Sequence, residues 1–232
     1  MRSFSSFAFF TIVLFICSLA AQSQTPSSAG AAVIPALEGL PGPLIWQHSP
    51  ASWKVDSGQT LSIAAAGSTD WFISPMGDGH RDNSPRLLFK PASDFVLSAK
   101  VTIDFRAHWD GAALVVYGND TLWAKLCFEE TIDGQPSIVS VVTKGLSDDA
   151  NSIAISGSSV FLKVARAGQA IFFYASTDGE HWTIIRAFSL GAASDLRAGF
   201  SSQSPAGTGC AASFSQIRYL SRRVNLWTGK PE

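Results

Sequence analysis

Apolar and polar residues alternate at every second position through much of this chain, and no stretch repeats them at the spacing of an amphipathic helix. In Val101-Thr102-Ile103-Asp104-Phe105 the apolar side chains share one side, as in a strand with one wet face. In Ala170-Ile171-Phe172-Phe173-Tyr174 both sides are apolar, which predicts a central strand covered on both faces. The same pattern predicts strands over Leu61 to Ala65, Arg86 to Phe89, Phe95 to Phe105, Ala112 to Tyr117, Leu122 to Glu129 and Ser137 to Thr143. Further strands are predicted over Val160 to Arg166, Ala170 to Ser176, Trp182 to Phe188, Arg197 to Ser202 and Ala211 to Tyr219. Turn signals such as Gly118-Asn119-Asp120, Asp133-Gly134 and Asp178-Gly179 separate them. Many short strands at this spacing predict an all-β sandwich or barrel.

The N-terminus departs from that pattern. Met1-Arg2, an apolar run from Phe7 to Leu19 and the small residues Ala20-Ala21-Gln22-Ser23 have the three parts of a secretory signal peptide. The run is shorter than the ~20 residues a membrane-crossing helix needs, and no later stretch comes close. Residues 1–23 are thus expected to be a signal peptide, cut after Ala20 or Ser23, and the mature chain to be secreted or periplasmic with no membrane span. A permanent anchor is the competing reading. Residues 24–43, rich in Pro, Ser, Ala and Gly, predict a tether; residues 44–220 the folded domain; residues 221–232 a loosely attached C-terminal tail.

Charge narrows the partners. Lys and Arg number 17 against 18 Asp and Glu, with no basic block to hold a phosphate backbone, so nucleic acid is not expected. Of three cysteines, Cys17 lies in the apolar leader. Cys127 and Cys210 either form a disulfide in an oxidising compartment or remain buried thiols.

Candidate chemistry concentrates in Leu122-Trp123-Ala124-Lys125-Leu126-Cys127-Phe128-Glu129-Glu130. Strand geometry sends Trp123, Lys125, Cys127 and Glu129 to one face. An aromatic plane beside an ammonium and a carboxylate suits a saccharide; the alternative is a Lys125–Glu129 ion pair on an open sheet. The next strand ends in Thr143 and runs into a polar loop with Asp148 and Asp149, which could reach the rim of that face. Hydrolysis would need two carboxyl groups roughly 5 to 10 Å apart, with Glu129 as one and Asp148 or Asp149 as the other. The Glu-x-Asp-x-x-Glu strand of glucanases with this kind of fold is absent.

Other motifs read as architecture. Ser176-Thr177-Asp178-Gly179-Glu180-His181-Trp182 predicts a tight hairpin similar to those of sialidase-like proteins. Asp78, Asp82 and Asn83 offer too few oxygens for a hard cation, so no cofactor is expected, with Ca²⁺ in that loop the alternative. His48, His80, His108 and His181 lack zinc spacing, and no metal ligand is assigned.

Thr69-Asp70-Trp71-Phe72, Arg86-Leu87-Leu88, Asp94-Phe95-Val96-Leu97, Trp123 to Glu129, Ser140-Val141-Val142-Thr143, Ser147-Asp148-Asp149, the hairpin motif and Gly199-Phe200-Ser201-Ser202-Gln203-Ser204-Pro205 occur here in order. In this the chain resembles family 1349 of domains of unknown function over about Leu44 to Tyr219. The resemblance implies a concanavalin A-like jelly-roll sandwich of two antiparallel sheets. It implies no reaction: the family includes a fungal protein described as a regulator of enolase. Relatives often carry an aromatic residue where this chain has Asp149.

The resulting expectation is an exported carbohydrate-binding domain whose concave sheet holds an oligo- or polysaccharide. Its ligand-binding residues would be Trp123, Lys125, Glu129 and Thr143, with Arg86, Arg186 and Gln203 adjacent. The alternatives are a glycoside hydrolase using Glu129 and Asp148, and a non-catalytic domain that recognises another protein.

Overall fold

A computed structural model describes residues 34, 36–57, 59–192 and 195–229. The proposed signal peptide and most of the tether lie outside the described residues. The strands, in chain order, are β1 Ile45–Gln47, β2 Ser52–Asp56, β3 Thr60–Ala66, β4 Trp71–Ile73, β5 His80–Asp82, β6 Arg86–Phe89, β7 Phe95–Asp104 and β8 Gly111–Asn119. They continue as β9 Leu122–Glu130, β10 Pro136–Lys144, β11 Leu146–Ala154, β12 Ser159–Ala167, β13 Ala170–Ser176, β14 Thr183–Ser189, β15 Arg197–Gln203 and β16 Gly209–Leu220. A front sheet runs β1-β6-β15-β8-β9-β10-β11 and a back sheet β14-β13-β12-β7-β16-β3-β2. Neighbouring strands in both are antiparallel, the arrangement expected from the alternation.

The alternating apolar residues meet between the sheets. Leu114, Leu126, Phe128 and Phe200 of the front sheet pack with Leu97, Leu162, Phe173 and Phe214 of the back sheet. Full burial of side chains this size contributes about 1.5–3 kcal/mol each. Leu37, upstream of the first strand, belongs to the same core, because its chain folds back against the sandwich rather than away from it.

Strands occupy every predicted stretch, and five more were not predicted. Four, β1, β2, β4 and β5, are short. The fifth, β11, reads as a polar loop in sequence because it is the edge of the front sheet and most of its residues face solvent. The β13 strand is covered on both faces but lies next to the edge, not at the centre. Its second cover is the C-terminal segment: Val224 and Leu226 are buried against Phe172 and Tyr174, and the Tyr174 hydroxyl donates to the Leu226 carbonyl. That segment is docked, not loose, because its apolar residues complete the outer face of β13.

The β13–β14 turn is architectural. Gly179, at φ 79°, places its N–H on Ser176 Oγ at 2.9 Å, while Asp178 Oδ1 accepts from the backbone of Glu180 and His181 at 2.8 Å. Cys127 and Cys210 are free thiols, with Cys127 on the outer face of the front sheet and Cys210 in the core between sheets; no bridge joins them. In the Asp78–Asn83 loop, Asp82 Oδ1 pairs with Arg86 at 2.6 Å and Asn83 Oδ1 accepts from the Asp70 N–H at 2.8 Å. Those oxygens serve the hairpin, and no grouping of three His, Cys, Asp or Glu among the described residues is arranged to hold a metal ion.

Candidate functional site

Pairing register lays the outer face of the front sheet out as rows. One row runs Gln203, Gly111, Glu129, Ser137 across β15, β8, β9 and β10. Another runs Val115, Lys125, Val141, Asp149 across β8 to β11, and a third Tyr117, Trp123, Thr143, Ser147. The face predicted from alternation, with Trp123, Lys125, Cys127 and Glu129 together, is therefore the outer one.

A hairpin of β4 and β5 covers the third row. Trp71 stacks on Trp123 with ring centroids 3.9 Å apart, and the Arg86 guanidinium carbon lies 4.1 Å from the centroid of the Trp71 ring. Arg86 is fully buried and ion-paired with Asp82. The Ile73 N–H donates to Ser147 Oγ at 3.0 Å, and Ser147 Oγ shares a 2.9 Å hydrogen bond with Thr143 Oγ1. Trp123, Thr143 and Arg86, expected to meet a ligand, thus lie beneath or against the hairpin, with no surface left for one. Arg186 is elsewhere again. It reaches from β14 of the back sheet to the β10–β11 edge, where Nη2 pairs with Asp148 at 2.9 Å and Nη1 donates to the Asp148 carbonyl at 3.2 Å. Asp148 itself sits at the sheet edge, 72% exposed.

Past the hairpin the face opens into a cleft of about 360 Å³. Its floor carries Lys125, Glu129, Asp149 and Gln203; its walls are Asp70, Phe72 and Arg81 on one side and Trp109 on the other. Of the residues anticipated in sequence, Lys125, Glu129 and Gln203 meet here. Asp149 takes the place imagined for Asp148: once 146–154 is a strand, alternation puts Asp149 on the outer face in the Lys125 row and Asp148 on the opposite, core-side face at the sheet edge. Asp70, Phe72, Arg81 and Trp109 were not anticipated. Asp70 and Phe72 stand in one of the motifs of the family resemblance, whereas nothing local marks Trp109.

Lys125 and Glu129 do not pair directly. Lys125 Nζ donates to Gln203 Oε1 at 2.7 Å, and Gln203 Nε2 donates to Glu129 Oε2 at 3.2 Å. Gly111, in register between Gln203 and Glu129, has no side chain to block that reach. Asp70 Oδ1 lies 3.7 Å from Lys125 Nζ. The Trp109 wall is braced by its own loop. The Trp109 N–H donates to the Glu130 carbonyl at 2.6 Å, and Asp110 accepts from Arg106 N, Ala107 N and Ser204 Oγ at 2.9, 3.0 and 2.6 Å. Trp109 is held at φ 65° and stays 42% exposed.

Burial sets the charges. It pushes the Glu129 carboxyl up to about 8; Lys125 pulls it back, while Asp149 and Asp70 add to the rise. Glu129 is therefore protonated at neutral pH and able to donate. Burial works against the Lys125 ammonium, whereas the nearby Asp70 and Asp149 carboxylates favour it. Burial also pushes the Cys127 thiol up, leaving it uncharged. Asp149 is raised by burial too, against the pull of Lys125 and a backbone hydrogen bond from Ala150. The floor thus offers an ammonium, a neutral carboxyl, an amide and a carboxylate within one cleft.

Two antiparallel sheets packed face to face, with a polar cleft on an outer face, define a concanavalin A-like sandwich. Residues 46–221 match the family described as "Protein of unknown function (DUF1349)", and the chain belongs to it. A comparison with curated proteins finds no match. Among solved structures, a functionally unknown protein from Saccharomyces cerevisiae is 21% identical with a TM-score of 0.72, covering 78% of this chain and 97% of that one. The GH43 BlXynB protein from Bacillus licheniformis is 19% identical with a TM-score of 0.60, covering 76% of this chain and 36% of that one. An engineered GH43 glycoside hydrolase with endo-xylanase and exo-arabinofuranosidase activity is 14% identical with a TM-score of 0.59, covering 88% and 44%. The chain thus spans less than half the length of these hydrolases, and the likeness is one of fold.

Proposed function

We propose that this chain is an exported saccharide-binding domain and that the sugar occupies the cleft over Lys125, Glu129 and Gln203. The observation that carries the reading is a floor of buried donors and acceptors set between aromatic walls, Phe72 and Trp109. Polar groups that converge beside aromatic side chains in a recess can fix a small ligand's orientation and give it specificity. Sugar hydroxyls both donate and accept, and the floor does the same: Lys125 and protonated Glu129 donate, Asp149 accepts, Gln203 does both. Glycoside hydrolases among the fold neighbours support the ligand class. Export rests on the signal-like residues 1–23.

Glu129 favours a second reading. A carboxyl protonated near neutral pH is what a glycosidic general acid requires, and Asp149, not Asp148, would then be its partner.

Titration of the purified chain against a glycan array and by calorimetry tests the first reading. Binding that Trp109→Ala weakens about tenfold supports it; a blank array with capture of a protein partner instead overturns it. Turnover of a bound glycan, lost in Glu129→Gln, would select the hydrolase reading.

A further inference from the structure

The outer face of the back sheet holds a second cleft, unrelated to the first. Register sets Tyr174, Lys163, Ser98 and Arg218 side by side across β13, β12, β7 and β16. Lys163 Nζ lies 3.8 Å from the ring centroid of Trp182, from the β13–β14 turn, and 4.6 Å from that of Tyr174. The docked C-terminal segment closes one side, bringing Arg222 to the rim, and the recess measures about 570 Å³.

Its charges are unbalanced. Among the described residues Lys163, Arg218 and Arg222 have no carboxylate partner. Of the two acids that line the recess, Asp178 is committed to the His181 ring at 2.7 Å and to its own turn, which leaves Glu180 against three cations. The aromatic faces attract the Lys163 ammonium yet do not replace the water it has lost: burial pulls its pKa down to about 8, with no ionic neighbour opposing the shift. A desolvated cation of this kind gains most from a ligand that brings its own negative charge, and arginine forks match planar or tetrahedral oxyanions bidentately.

We infer that the recess formed by Lys163 between Trp182 and Tyr174, with Arg218 and Arg222 at its rim, binds a ligand carrying carboxylate or sulfate groups. The inference stands apart from the saccharide reading of the front cleft.

The test is an NMR titration of the full chain with trigalacturonate, sodium sulfate and neutral xylotriose at constant ionic strength. The Trp182 indole and Lys163 side-chain signals should move with the anions and the Trp109 indole should not. The Lys163 pKa should rise on saturation. Lys163→Met, which keeps the apolar stem against both rings, and the surface change Arg218→Gln should each weaken binding about tenfold. Tighter binding of trigalacturonate than of sulfate identifies an acidic glycan as the ligand; equal binding identifies a free oxyanion. The inference is overturned if xylotriose binds as well as the anions, if neither anion moves the Lys163 signals below ~10 mM, or if Arg218→Gln and Lys163→Met bind like the parent.

Discussion

Trp71 lies on Trp123 with ring centroids 3.9 Å apart and planes inclined by 23°, so an aromatic on a separate hairpin roofs the strand that carries Lys125 and Glu129. Both rings are almost fully buried. Trp71→Ala should therefore cost about 3–5 kcal/mol of folding stability, the usual range for emptying a large buried aromatic site. Urea unfolding should show the lowered midpoint, and Trp123 emission should shift to longer wavelength as water reaches it.

Glu129 makes stability depend on pH. In the unfolded chain it ionises near its ordinary 4.5, whereas in the folded protein it holds its proton up to about 8. Across that interval the folded state binds more protons, so Glu129 contributes stability at low pH that is lost as pH rises toward 8. A tenfold difference in proton affinity between the two states is worth about 1.4 kcal/mol, so the whole interval amounts to several kcal/mol. Glu129→Gln should flatten this part of the curve in thermal melts between pH 5 and 9.

Asp148 and Asp149 are neighbours with opposite roles. Asp149→Asn should weaken glycan binding about tenfold, since it replaces a carboxylate of the cleft floor, in the Lys125 row, by an amide. Asp148→Asn should leave binding unchanged and cost about 1 kcal/mol or less, because the Asp148 carboxylate that pairs with Arg186 is largely open to solvent. Calorimetry on both variants, with chemical denaturation alongside, separates the two.

Tyr174→Phe should cost about 1 kcal/mol by removing the hydroxyl bond to the Leu226 carbonyl. The docked segment should then be cut faster at Trp227 under limited chymotrypsin digestion.

Side-chain alternation was enough to read the strands and the shared face of Trp123, Lys125, Cys127 and Glu129 on β9, because both depend on neighbours one or two residues away; the choice of a sandwich over a barrel came from the family resemblance. Trp123 was misplaced because its cover is supplied by Trp71, far upstream in the chain, and no local pattern reports such a pairing. Arg86 and Thr143 were misplaced for the same reason: the β4–β5 hairpin that covers them consists of two short strands with little periodicity. The choice between Asp148 and Asp149 depended on recognising β11, and an edge strand facing water lacks the apolar alternation that reveals a strand. Arg186 sits in the opposite sheet, and only the meeting of two sheet edges brings it to Asp148. Trp109 stands on a braced loop whose left-handed turn has no glycine to announce it.

The floor of the front cleft is set by the pairing of five adjacent strands, while Phe72, Arg81 and Trp109 arrive on a hairpin and a loop outside both sheets. Changes in those connections can reshape the opening without displacing Lys125, Glu129 or Gln203. Homologues with the same charged floor are then free to diverge in what they admit, and ligand preference in this lineage should track the length and aromatic content of two connections rather than the strands beneath them.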